Sequence, residues 1–183
     1  MKIRFFLSLI LAANLFTAPP VVAQSIDELF QQGDEAQANG SFLQAEEIFR
    51  RAIVLDANST DAYVGVGIAL DAQGKVTEAI TNFQTAIRLD PNNSYAYSNL
   101  GIALAEQGNL EEAATNFYAA LSINPNNAYG YNGLGLIWVS QGKLEEAIAN
   151  FQAAINLEGA NPDFQHNLQE AMRLLAAQSE IKP

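Results

Sequence analysis

The chain has no cysteine and only one histidine, His166. The lack of cysteine excludes disulfides, thiolate metal sites, cysteine nucleophiles and a lipid-modified cysteine anchor. One histidine cannot supply the usual paired metal ligands. Lying among Gln165, Asn167 and Gln169, His166 reads as a surface residue. Cations are scarce: 9 Lys+Arg stand against 20 Asp+Glu in 183 residues. Two of the nine, Lys2 and Arg4, fall in the stretch before Gln24, which holds no acid. The rest of the chain then has seven bases against twenty acids, a formal charge of −13. Such a surface repels phosphate backbones, which argues against a nucleic-acid ligand, and it steers basic partners inward. No nucleophile–base pair and no glycine-rich phosphate loop is visible, so no catalytic residue, cofactor or metal is expected. Glutamates do pair at Glu46-Glu47, Glu111-Glu112 and Glu145-Glu146. Neighbours on a helix point apart, so these pairs read as solvated charge, the last two complementing helix N-termini.

Residues 1–23 read MKIRFFLSLILAANLFTAPPVVA. A short positive start precedes an apolar run from Phe5 to Phe16. Pro19-Pro20 then stops any helix, and Ala23 offers a small residue before a cut. These are the parts of a secretory signal peptide. The apolar run is short for a membrane span, which takes about 20 residues. The expected mature start is Gln24, and the alternative is an uncleaved anchor. The expected location is the periplasm, or another secreted or extracytoplasmic space.

From residue 26 onward a period of 34 rules the chain. Gly33, Gly67, Gly101 and Gly135 are each followed, seven positions later, by Gly40, Gly74, Gly108 and Gly142. Then come Ala45, Ala79, Ala113 and Ala147, next Phe49, Phe83, Phe117 and Phe151, and finally Ala52, Ala86, Ala120 and Ala154. Residues 60–93 and 94–127 agree at 17 of 34 positions. This period and small-residue pattern resemble the tetratricopeptide repeat, a helix-turn-helix unit. The resemblance covers residues 26–161. It implies an all-α fold: a right-handed superhelix, or α-solenoid, of repeats 26–59, 60–93, 94–127 and 128–161. Residues 162–178 carry Phe164, Leu168, Met172 and Leu175 at helical spacing and read as a capping helix whose apolar residues are core. Residues 179–183 should fray.

Each column has a physical reading. The glycines at 67, 101 and 135 sit inside first helices and permit close approach of the paired helix. Those at 74, 108 and 142 end the first helices in a left-handed conformation. Pro91 and Pro125 stop second helices, and Asn93 and Asn127 can cap the first helix that follows. The first repeat is the least regular. Gln32 replaces an apolar residue, Ala57 replaces the proline, and Ser41 with Gln44 can form a capping box.

The resemblance also implies that first helices line a concave groove where partners bind. One groove column is Asp34, Ile68, Ile102 and Leu136, where the usual repeat carries a polar residue. A second is Phe30, Val64, Ser98 and Asn132, and a third is Asp27, Asp61, Tyr95 and Tyr129. With Asp71, these residues make a groove that runs from acidic to apolar and tyrosine-rich. Burial of Ile68, Ile102 and Leu136 between neighbouring first helices is the competing reading. Trp138 shares a column with Leu70 and Leu104 and should pack between helices. No first helix carries Lys or Arg, so the cationic clamp by which some family members hold a terminal carboxylate is missing. The expected function is a monomeric, non-enzymatic module. It would bind an extended peptide or a basic amphipathic helix of another protein, as scaffold or assembly factor for an envelope complex. The alternative is a regulatory or targeting subunit of an enzyme encoded elsewhere.

Overall fold

Four helices begin at a polar side chain that recurs once per repeat. Ser25 Oγ accepts from the Glu28 amide at 3.1 Å and Ser59 Oγ from Ala62 at 3.4 Å. Asn93 and Asn127 accept through Oδ1 from Ala96 and Gly130, both at 2.9 Å. Each such cap satisfies an orphan amide and contributes about 1 kcal/mol. The helices they start are α1 (Ile26–Ala38), α3 (Thr60–Asp71), α5 (Ser94–Glu106) and α7 (Ala128–Ser140). Gly40, Gly74, Gly108 and Gly142 then turn the chain, at φ between 71° and 82°. Only glycine adopts that conformation without strain.

The computed structural model describes residues 25–181. The signal-peptide expectation for residues 1–23 lies outside the described residues. Among the described residues no helix is long and apolar enough to cross a membrane.

After each turn comes a longer partner helix: α2 (Phe42–Leu55), α4 (Val76–Leu89), α6 (Leu110–Ile123) and α8 (Leu144–Leu157). These starts carry no side-chain cap. The capping box expected at Ser41 and Gln44 is therefore not formed. Ser41 has ψ 58°, away from the extended backbone of the capped starts. The box occurs instead at Ser25, whose amide donates to Glu28 Oε2 at 3.2 Å while its Oγ accepts from the Glu28 amide.

Within each pair, the phenylalanine of the second helix fills the space left by the glycine of the first. Phe49, Phe83, Phe117 and Phe151 are at most 1% exposed, and the flanking alanine columns are fully buried. Phe49 and Phe117 also lie against a glycine of the next repeat, Gly65 and Gly133. First helices touch their successors along the series α1, α3, α5, α7, whereas among the described residues second helices touch no other second helix. The first helices thus crowd together on the inner face, and the array curves into an all-α superhelix.

The last helix, α9 (Pro162–Ile181), begins one period after α7 and contacts α7 and α8 as α3 contacts α1 and α2. It is in register with the first helices, and it stays helical to Ile181, beyond the end expected at residue 178. Its Leu168 continues the column of Val66, Leu100 and Leu134, and its buried Ala171 that of Ala69, Ala103 and Ile137. Met172 is 55% exposed, contrary to the core role that its spacing predicts. It continues the column of Leu70, Leu104 and Trp138, which faces a repeat's own second helix, and no second helix follows α9 among the described residues. Trp138 is half-buried, with Lys143 Nζ 4.5 Å over its ring.

Glu46 departs from the surface role expected of the glutamate pairs. It is 7% exposed and accepts from Gln73 Nε2 at 2.7 Å, with Arg50 at 2.9 Å and Lys75 at 3.4 Å. Burial works to raise its pKa. The Gln73 hydrogen bond and the Arg50 and Lys75 charges outweigh that and hold it below the ordinary value. The group ties the first repeat to the second.

Candidate partner-binding groove

The inner face is built by α1, α3, α5 and α7, and none of these helices contains Lys or Arg. Its acids are Asp27, Glu28, Asp34 and Glu35 on α1, Asp61 and Asp71 on α3, and Glu106 on α5. The field along this face is therefore negative toward its N-terminal end. Toward the other end, the exposed side chains are aromatic and aliphatic.

Tyr95 is 55% exposed and Tyr129 38%. Each stands in the first turn of its helix, in the column that holds exposed Asp27 and Asp61. Tyr129 rests edge-on against Phe164 of α9, ring centroids 5.5 Å apart. Burial, then the negative charge of Glu158, and its neighbours Tyr95 and Asp163 push the Tyr129 hydroxyl above its ordinary pKa. It stays a neutral donor at physiological pH. Leu136 is 48% exposed. Ile68, Ile102 and Val64 are half-buried and pack against the main core. The column 34, 68, 102, 136 is thus divided: its two isoleucines serve the core and the surface together, and Leu136 stands largely free.

Ser98 is not a groove residue, contrary to expectation. It is 1% exposed, donates to the Tyr95 carbonyl at 3.1 Å and accepts from Asn127 Nδ2 at 3.3 Å. Asn127 is itself 2% exposed and also donates to the Ser94 carbonyl at 3.1 Å. A small hydroxyl at 98 lets the cap of α7 reach across to α5. Asn132, in the same column, is half-buried and accepts from Asn167 Nδ2 of α9 at 3.0 Å.

A depression of about 250 Å³ opens between α5 and α7. Ile102, Ala105, Leu136 and the ring of Phe117 give it an apolar floor, and Asn132 and Glu106 supply its polar atoms. Glu106 also acts on Asp71. Burial, then the Glu106 charge, push the Asp71 carboxyl up to about 6. Its Oδ1 is buried without a hydrogen bond. An apolar slot beside two mutually repelling carboxylates suits an apolar side chain followed by a cation. Sequence reasoning does not point to Ala105, Glu106 or Gly133 in this site. Glu106 lies one position beyond the column that holds Asp71, and no comparison between repeats singles it out.

Sequence comparison finds repeats over the central and C-terminal parts of the chain. A family model described as "TPR repeat" matches residues 67–108, and one described as "Tetratricopeptide repeat" matches residues 98–163. No curated protein gives a significant match. Among solved structures, MamA is 27% identical, with a TM-score of 0.61 over 74% of this chain and 79% of that one. A thermophilic TPR protein of Thermus thermophilus is 24% identical, with a TM-score of 0.74 over 80% and 81%. The first TPR of Spaghetti (RPAP3), bound to the HSP90 peptide SRMEEVD, is 24% identical, with a TM-score of 0.59 over 66% and 96%.

Proposed function

The chain belongs to the tetratricopeptide repeat family, whose members are protein–protein interaction modules; from that premise we propose that its inner face holds a peptide or amphipathic helix of another protein, basic in character. The observation that carries this reading is one surface. Tyr95, Tyr129 and Leu136 stand exposed along helices that contain no cation. Tyrosine combines apolar area with a hydroxyl at little entropic cost, and exposed apolar area in a groove gains from being covered. The RPAP3 relative is bound to a peptide ending in EEVD. Here the charge of the groove is opposite to what such an acidic end requires, so the preferred partner presents Lys or Arg. In this reading the module is exported by residues 1–23 to the periplasm and acts without catalysis, as scaffold or assembly factor for an envelope complex.

The test uses photo-crosslinking residues at Tyr95, Tyr129 and, as control, Tyr118. Tyr118 is 53% exposed on α6, away from the inner face. One and the same protein captured at positions 95 and 129 but not at 118 is the expected result. Capture at 118 alone would move the partner to the outer helices and end this reading.

A further inference from the structure

On the outer side of α2, Leu43, Glu47, Arg50 and Val54 are all exposed, Leu43 at 71% and Val54 at 84%. Their spacing of four, three and four positions confines them to about 60° of the helix circumference. That arc lies opposite Ala45, Phe49 and Ala52, which face the core. The other repeats show that the fold imposes exposure here. The position of Leu43 is filled by Thr77, Glu111 and Glu145, and that of Val54 by Arg88, Ser122 and Asn156; all six are exposed. Three repeats place polar residues where water is, and the first repeat alone places Leu and Val. A shallow cavity of about 360 Å³ lies along this stripe, bounded by Leu43, Glu47, Arg50, Val54 and Lys75. Apolar side chains so placed gain nothing from the core, and their area stays in water unless something covers it.

We propose that a second copy of the chain covers it, α2 lying antiparallel on the partner's α2 about a two-fold axis. Along the helix the stripe reads apolar, acidic, basic, apolar. Read from the other end, it is apolar, basic, acidic, apolar. Antiparallel apposition therefore sets Leu43 on the partner's Val54 and Glu47 on the partner's Arg50, and each pair occurs twice. A two-fold interface needs such a self-complementary patch. A parallel pairing would instead set like charge on like. Arg50 already reaches Glu46 at 2.9 Å, but its guanidinium has donors for a second carboxylate. One helix pair is small by the measure of stable interfaces, so the dimer is weak and reversible. The sequence alone points to a monomer. The stripe and the tyrosine groove lie on different helices, so a dimer leaves the inner face open.

Sedimentation equilibrium of the chain purified from its host, over micromolar to sub-millimolar concentrations, tests this. A reversible monomer–dimer equilibrium is expected. Arg50→Glu should weaken it by about tenfold or more, because Glu47 then meets an acid. Combining Glu47→Arg with Arg50→Glu should restore it to within about threefold, because the swapped charges again meet. Val54→Glu should abolish it. All these side chains are exposed, but Arg50 also pairs with Glu46, so circular dichroism melts of every variant, with Arg50→Ala as the control for that lost ion pair, separate an effect on folding from one on association. A protein that is monomeric throughout overturns the proposal. So does a dimer indifferent to these substitutions, or a double variant that stays as weak as Arg50→Glu.

Discussion

A Cβ placed on Gly101 would stand 2.7 Å from Cε1 of Phe117, well inside carbon–carbon contact distance. Phe117 is 1% exposed, and its ring also lies against Gly133 of the next first helix. Gly101→Val should therefore destabilise the fold by about 3 kcal/mol, at the upper end of what overpacking costs, and lower the melting temperature clearly. Glu112→Gln changes an exposed side chain and should leave the melt within about 0.5 kcal/mol of the parent. Thermal melts ranked the other way would mean that the ring moves aside.

The two interior asparagine caps should differ. Asn93 serves the Ala96 amide, whereas Asn127 serves Gly130 and, while buried, also donates to Ser94 and Ser98 of α5. Asn93→Ala should cost about 1 kcal/mol, the ordinary worth of a cap. Asn127→Ala should cost about twice that, since it also leaves buried acceptors unserved. Denaturant titrations of the two variants give the comparison.

Asp71 should make stability fall as pH rises. Its carboxyl holds a proton more tightly in the folded state, at about 6, than at its ordinary 3.8. Folding therefore keeps its full stability below about pH 4 and loses this contribution as pH rises through about 6. Without screening the shift would amount to about 3 kcal/mol; the group is only half-buried, so about 1 kcal/mol is expected. Asp71→Asn should stabilise the protein by that amount at pH 8 and by nothing at pH 4. Melts at both pH values measure it.

Leu136 and Ile102 should separate binding from folding. Leu136→Asp puts a charge on a largely exposed position and should leave the melt nearly unchanged, while weakening capture of the groove partner by about tenfold or more. Ile102→Asp should lower the melting temperature as well, because Ile102 packs against the core. Parallel melts and crosslinking yields at Tyr129 check both.

The helical array was legible because its signals recur. A glycine that a ring must fill, and a glycine that must turn left-handed, return in every repeat with the same neighbours, so each column supports the rest. Residues whose role depends on the next repeat were harder to read. Ser98 lies in a column with Phe30 and Val64, yet it is buried because Asn127 reaches across to it. Glu46 leads a glutamate pair as Glu111 and Glu145 do, yet the packing of Gln73 and Lys75 encloses it. Met172 has the spacing of a core residue, and no helix among the described residues covers it. In each case sequence spacing gives the face of a helix, but the neighbour across that face decides burial.

α9 is half of a unit. It occupies the berth of a fifth first helix, and position 176, where the earlier repeats place Gly40, Gly74, Gly108 and Gly142, is Ala176, so the helix runs straight on to Ile181. The flank that carries Met172 is shaped to receive a second helix. An engineer wishing to lengthen the array thus has a docking berth already built: Ala176→Gly followed by a copy of residues 143–157 would supply the other half. The molecule carries its own template for growth at that end.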